Sequence, residues 1–537
     1  MLYPAVFDLA ERVLAAAKAS RPFAQSQQQG WRCSLTGEHE WLTTDVKQLH
    51  WNQSYRQQQG TLWTKVADEK PAWAKKGEHL SALPSIKRLW PTLFRREVGL
   101  ALAGADDGSV KQIDRFVVST HTMALAHQLN QFRAGQAVIS DQLAAKLKDK
   151  TRVALPAQLA INLLKDQHPQ SDLIVRIPGW LEDAKDSDNE ADYETAQREL
   201  QNLLGGAVET YYSLIMMDGD RMGAILSGDE TTQTAISYRD SFYPKVQRGF
   251  DQRAARQPEL KAYGEQKRAV TPNRHLAISG ALNDFSQIVV RHVVEREHLG
   301  RLIYAGGDDV LAMLPVTDLF STMQRLRHAY SGTVPEDQDI DWGELRKRNT
   351  LVCKQGFAWL NGRLMRMMGK NATASCGAVI AHHQAPLSAV MRELRAAEQR
   401  AKTEGGRDAF SVTVIKRSGG ALYFTEKWGE PVNVLIALRD FLVQDGVSRR
   451  AVYHILDWLD EHQLPENAFD NGMAQTLLQY QLDRQAQGAA KDQAPDLALR
   501  LVTLALAWSD EKRIEKMRNL LAVAEFLARA VRTGDQP

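Results

Sequence analysis

Two short stretches of this chain place carboxylates where chemistry can use them. "LIMMDGDRMG" sets Asp218 and Asp220 at the end of an apolar run, and "RLIYAGGDDVLAML" pinches two apolar runs around Gly306-Gly307-Asp308-Asp309. Glycine and aspartate are favoured in tight hairpin turns for conformational reasons alone, so the second stretch by itself reads equally well as a turn. Adjacent carboxylates repel unless a cation compensates them, however, and a second acidic cluster on a neighbouring strand shifts the balance toward a site. Hard oxygen ligands beside a glycine-rich turn suit Mg²⁺ or Mn²⁺ carrying nucleotide phosphates. Ions so held can activate a hydroxyl nucleophile and stabilise a departing pyrophosphate. That chemistry is nucleotidyl transfer.

The elements that must position these acids follow from the apolar pattern. From about 205 to 425 short apolar runs ("YYSLIMM", "RLIYA", "VLAMLP", "SCGAVIAHH", "AFSVTVIKR") alternate with helical stretches, which predicts an α+β unit. Its order, strand, helix, strand, tight turn, strand, helix, strand, is that of a ferredoxin-like βαββαβ sheet with helices on one face. In that topology the first strand neighbours the hairpin, so Asp218 meets Asp308 and Asp309 at one edge, and Gly306 and Gly307 let phosphates approach the backbone. Residues 1–200 read as mostly helical and 426–537 as a helical C-terminal domain.

Composition bounds the remaining possibilities. The chain has 537 residues, a formal charge of +2, 44% apolar and 25% charged residues, and a mean hydropathy of −0.38. Several globular domains are expected, and no apolar run is long enough to cross a bilayer. Near-neutral charge gives no overall nucleic-acid footprint, leaving only local basic stretches such as "LRKRNTLVCK" and "GRLMRMMGK". Three scattered cysteines, Cys33, Cys353 and Cys376, make neither a disulfide framework nor a thiolate cage, and the expected compartment is the cytoplasm. His121, His127, His382 and His383 read as packing or surface residues.

Taken together, "LIMMDGDRMG", "AISGALNDFSQIVV", "LIYAGGDDVLAMLP", "ATASCGAVIAHHQAPLSAVMRELRAAEQRAK" and "GGRDAFSVTVIKRSGG" resemble the second Palm domain of the large subunit of type III CRISPR effector complexes, of the Cmr (III-B) type. The resemblance implies an RNA-guided antiviral complex whose large subunit makes a nucleotide second messenger from ATP, usually cyclic oligoadenylate, when the guide pairs with target RNA. It implies Asp218, Asp308 and Asp309 as ligands of Mg or Mn, with Asp308 and Asp309 catalytic and Asp220 a supporting ligand. It also implies Gly306 and Gly307 beneath the phosphates, Ser279 near base or ribose and Lys402 near phosphate. For Lys402 a solvated lysine closing its helix is an equal reading. Expected partners are the other effector subunits, guide RNA and target RNA, without a membrane.

Three departures from the family are visible. None of the fourteen histidines is followed by Asp, so the His-Asp nuclease motif is absent. "RCSLTGEHEWL" keeps Cys33 but has Thr36 where a second zinc-binding Cys would stand, so no zinc is expected. The first Palm domain is missing or much reduced, so a separate chain carrying it, or another copy of this chain, is expected to complete the pocket. Two rival readings remain: a catalytically silent scaffold that senses RNA in the same kind of complex, and a free-standing diguanylate-cyclase-type enzyme.

Overall fold

The computed structural model describes residues 2–20, 22, 27–70, 73–101, 117–186, 190–228, 235–333, 350–461, 468–470 and 472–531. Part of the basic stretch "LRKRNTLVCK" lies outside these residues. Contacts divide the chain into two compact units. One comprises Met1–Leu9, Val118–Lys150 and Leu155–Pro537, the other Ala10–Val117 with Thr151–Ala154.

The larger unit is built on a six-stranded sheet of β1 (Tyr211–Gly219), β2 (Arg301–Gly306), β3 (Asp309–Pro315), β7 (Ala374–His382), β8 (Ala409–Ile415) and β9 (Ala421–Lys427), in the order β2-β3-β1-β7-β8-β9. The four strands β7-β1-β3-β2 are mutually antiparallel neighbours, which is the ferredoxin-like arrangement expected. β8 then adds parallel to β7 and β9 antiparallel to β8, extending the sheet beyond the expected four. A second small sheet of β4 (Val352–Lys354), β5 (Phe357–Leu360) and β6 (Arg363–Arg366) also forms.

Helices cover both faces of the large sheet, not one. All nine residues of β7 are buried, as a strand sandwiched between two layers must be. On one face Ile215, Met217, Val310, Ala312, Cys376 and Ala378 share a core with Phe285, Val289 and Val293 of the long helix that follows β1. That helix starts as α3 (Pro272–Asp284), capped by the Thr271 side chain with proline in its first turn. It then runs through π-helical turns at Phe285–Val289 and Val293–Glu297. The same core continues through α4 (Leu319–Ser331) into C-terminal residues such as Leu435, Phe441, Leu520 and Leu527, so the sheet and the C-terminal helices bury one another.

On the other face lies α5 (Leu387–Thr403), with Val390, Leu394, Ala397 and Ala401 inward. Its backbone comes so near β7 that a Cβ on Gly377 would meet the Glu398 amide nitrogen at 2.2 Å. The helix α2 (Thr120–Ala134) contacts β1 and β3, and its Thr120 hydroxyl donates to the His383 carbonyl at 3.0 Å. The ring of His121 stacks on that of His383 at 4.2 Å, both buried, in keeping with packing histidines.

The smaller unit has a compact core of Cys33, Trp41, Trp63, Ala74 and Leu80. Burial raises the Cys33 thiol, but hydrogen bonds from Ser81, Thr36 and Leu35 outweigh it and bring it down to about 7. The turn thus still directs donors at sulfur although Thr36 offers no second thiolate.

Candidate functional site

The hairpin closes through the Gly306–Asp309 pair, leaving Gly307 and Asp308 as a two-residue turn. Gly307 has φ +65°, the conformation a tight hairpin asks of its first turn residue and glycine supplies without strain. β1 runs alongside β3 and β7, with Met217 opposite Val310 and Asp218 opposite Ser375. The sequence therefore delivers Asp218 from one strand and Asp308 and Asp309 from the adjoining hairpin, ninety residues away, to one edge of the sheet.

Gly219 is what lets the two meet. A Cβ there would fall 2.4 Å from Tyr330 Oη and 2.8 Å from Asp308 Oδ2. Its backbone N–H donates instead to the Asp308 carboxylate. Beneath, Tyr330 is fully buried, donates its hydroxyl to Met222 Sδ at 3.3 Å and meets Phe285 edge-on at 5.2 Å. Burial, reinforced by the charges of Asp308, Asp218 and Asp220, raises its phenol far above the ordinary range.

The acids strain against one another. Burial raises the Asp308 carboxyl and the neighbouring Asp218 adds to it, against backbone hydrogen bonds from Asp308 and Gly219 that pull it down. Asp309 is pushed up to about 6, first by burial, then by its bond to Asp218 and the charges of Asp218 and Asp308, with Lys402 opposing. Lys402, in the last turn of α5, is ion-paired with both Asp218 and Glu398. Burial alone would lower its ammonium, but those two bonds leave it raised. Lys402 is thus a countercharge built into the cluster and not a solvated helix end. The signal for it was the four-residue spacing of Glu398 and Lys402 on one helix face.

Asp220 is placed apart from this competition. It is buried and accepts from Thr373 Oγ1 and Ser375 Oγ, each at 2.7 Å, and from the Asp408 backbone N–H at 2.9 Å. Both oxygens are therefore taken by protein donors. The loop it holds, Gly406-Arg407-Asp408, has three consecutive positive φ values of 66°, 62° and 45°, costly for non-glycine residues unless the surroundings enforce them. Asp408 is further tied to Arg327 at 2.7 Å. Thr373, Ser375, Asp408 and Tyr330 are not legible in the sequence, because each acts through a partner distant in the chain; Glu398 is signalled only by its four-residue spacing from Lys402.

Ser279 is exposed midway along α3, on the helix that leads into Phe285. Gly306 lies under Tyr304, whose Oη would stand 2.2 Å from a Cβ there. Among the described residues no three His, Cys, Asp or Glu groups stand in a preformed metal cage; the cation now among these carboxylates is the Lys402 ammonium. The donor set is nonetheless all hard oxygen, and Asp218, Asp308 and Asp309 face one lysine that Glu398 also shares. A hard divalent cation fits that imbalance.

Residues 211–411 match the family model described as Cas10/Cmr2, second palm domain. These residues form a second palm domain of the Cas10/Cmr2 type. The chain is 25% identical over 510 residues to the CRISPR system Cmr subunit Cmr2 of Pyrococcus furiosus, covering 92% of this chain and 48% of that protein. It is 33% identical over 127 residues to the CMR subunit Cmr2 of Saccharolobus solfataricus, covering 23% of this chain and 11% of that protein. The chain therefore spans about half the length of the first of these relatives and a small part of the second. In fold it is similar to a chain of the type III-B Cmr-beta complex solved bound to cognate target RNA, with a TM-score of 0.56, 14% identity, and coverage of 91% of this chain and 57% of that one. The palm domain is of the nucleotidyl-cyclase type, and no helix among the described residues is long and apolar enough to cross a membrane.

Proposed function

We propose that this chain acts within an RNA-guided type III-B assembly of effector subunits, guide RNA and target RNA. In that setting its palm sheet binds ATP with Mg or Mn and joins nucleotides into a second messenger of the cyclic oligoadenylate class. The observation that carries this reading is the convergence of Asp218, Asp308 and Asp309 from two separate stretches onto one sheet edge, in a charge state short of cation. The three buried, free cysteines suit a reducing compartment such as the cytoplasm, and the lone Cys33 gives zinc no second thiolate.

Asp218, Asp308 and Asp309 would hold the divalent ion, which when bound neutralises the triphosphate and lowers the pKa of an attacking hydroxyl. Asp220 stays with its three donors and fixes the end of β1. The Gly306-Gly307 turn presents backbone without side chains to the phosphates, and Ser279 faces ribose or base. Lys402 exchanges one partner for another, leaving Asp218 for a phosphate oxygen while Glu398 keeps hold of its ammonium. A second palm surface, carried by a partner or adjoining chain, would hold the acceptor hydroxyl in line with the donor phosphate.

The test is to supply the assembled complex with ATP, Mg²⁺ and target RNA and identify the products by mass spectrometry. Asp308→Ala with Asp309→Ala should stop product formation while complex assembly and RNA binding persist. Unchanged turnover in that variant rejects the reading. One observation favours a second reading: the Lys402–Asp218 ion pair already occupies a prospective ligand, as suits a silent scaffold that senses RNA. No product under any reconstitution would support it.

A further inference from the structure

The opposite end of β1 holds a cavity that the carboxylate chemistry does not use. It has a volume of about 620 Å³ and lies between the start of β1, the end of β3, the β8–β9 turn and the C-terminal helices. Tyr211, which lines it, lies seven residues along the strand from Asp218, roughly 23 Å at the usual rise per residue. The space suits a drug-sized or nucleotide-sized ligand.

Two observations say that its walls await a ligand. Glu209 and Thr317 line the cavity, and Glu209 Oε1 and Thr317 Oγ1 are buried and have no hydrogen-bond partner. Buried polar atoms without partners are uncommon because each forfeits its hydration. Glu209 is also set up to stay protonated: burial, with the charge of Asp318 adding and a bond with Gln128 opposing, raises its carboxyl to about 8. A neutral carboxyl both donates and accepts, which complements a flat edge carrying an amine beside a ring nitrogen.

The rest of the lining supplies an aromatic surface and positive charge. Phe526 packs edge-on against Tyr211 at 5.1 Å, and the Arg529 guanidinium lies over the Phe526 ring at 5.0 Å. Tyr453 stands half-exposed at the rim. Lys416 and Arg417 come from the β8–β9 turn, where the Arg417 backbone N–H donates to Tyr211 Oη at 3.3 Å. The acid among them, Glu525, is paired with Arg449 at 3.5 Å, which leaves the cations available to an anion. One accessible aromatic ring, Tyr453, a carboxyl able to read an edge, and phosphate-binding cations occur together.

We propose that this cavity is a second nucleotide site, separate from the carboxylate cluster, that takes an adenine nucleoside phosphate without divalent metal. The base lies against the exposed Tyr453 ring with its amine edge toward Glu209, a ribose hydroxyl is directed to Thr317, and the phosphate meets Lys416, Arg417 and Arg529.

The test is calorimetric titration of the full chain with AMP in EDTA, with adenosine, inorganic phosphate and a 5′-phosphorylated RNA oligomer as comparison probes. AMP should bind, and should bind equally in the Asp308→Ala, Asp309→Ala variant, which separates this site from the proposed catalytic one. Arg417→Glu with Arg529→Glu, both exposed positions whose folding circular dichroism can verify, should weaken AMP about tenfold or more. Glu209→Ala should weaken it about tenfold, while Glu209→Gln, which keeps a donor and an acceptor, should restore it. AMP binding that is undetectable at millimolar concentration, that is lost with Asp308 and Asp309, or that ignores the arginine reversals would overturn the proposal. So would phosphate binding as tightly as AMP, or the RNA oligomer binding there while AMP fails to compete.

Discussion

Asp218 and Asp220 are two residues apart and live in opposite conditions. Asp218 shares its edge with Asp308, Asp309 and the Lys402 ammonium, so its surroundings carry more negative charge than the protein itself balances. Asp220, buried, has Thr373, Ser375 and the Asp408 amide directed at it and needs nothing further. The contrast teaches how a palm edge can hold a demanding cluster: the repelling acids face outward for a cation, and the acid behind them is spent entirely on fixing the backbone that presents them.

The sharpest way to break the comparison is to empty the outward cluster. Asp308→Ala with Asp309→Ala is expected to reduce nucleotide product by a factor of about 10³ or more, since positioning and charge neutralisation go together. The melting temperature should stay within a few degrees, because a turn tip contributes little to the core. A large drop in stability with turnover preserved would reverse the roles assigned to the two regions.

Asp220→Ala should do the converse. Three donors would lose their acceptor, at about 1–3 kcal/mol for each buried group left unsatisfied, and the strained Gly406–Asp408 loop would be released. Denaturant unfolding should show a clear loss of stability, with turnover falling because the end of β1 drifts. If the variant is as stable as the parent but has lost metal dependence, Asp220 belongs with the ligands.

Gly377→Ala tests whether the α5–β7 spacing carries Lys402. A methyl there meets the Glu398 backbone, so α5 must shift, at about 1–3 kcal/mol for overpacking. The Lys402–Asp218 pair should loosen, visible as a changed pH profile of turnover beyond the stability loss. A fully active, equally stable variant would show that α5 is free to adjust.

The smallest expected effect is on pH. Because Asp309 is raised to about 6 from an unfolded carboxylate near 4, the folded state holds its proton more tightly than the unfolded state. Stability from this group is therefore present below about pH 4 and lost as pH rises through about 6. In EDTA, Asp309→Asn should melt higher than the parent at pH 7 and at the same temperature at pH 4, and added Mg²⁺ should raise the parent alone. Parallel melting curves at both pH values would remove the charge imbalance on which the outward cluster depends.

Much of this was legible in the sequence because it is local. The run "YYSLIMM", the Gly-Gly turn and the apolar stretch "SCGAVIAHH" announce strands and a hairpin, and their order gives the neighbours that bring Asp218 to Asp308. What was not legible depends on pairing across distance. "ALYFTEK" became β9 only because β8 offers it an edge, and "RLMR", read as a basic stretch, became β6 of a small sheet. Asp220 looks like a ligand in the sequence since nothing local marks the hydroxyls of Thr373 and Ser375 as its partners. The second helical layer was likewise hidden, because "THTMALAHQL" has no one-sided apolar stripe; α2 is buried nearly all round.

The sheet's order also sets how its parts open. β7 is buried along its whole length at the centre, whereas β2 lies at the margin with Ile303 and Tyr304 more than half exposed. Amide hydrogens of β7 and β1 should exchange with deuterium only when the whole unit unfolds, while those of β2 exchange through local fraying. Asp218 therefore rides on a fixed rail, and Asp308 and Asp309 hang from a hairpin with one loose arm.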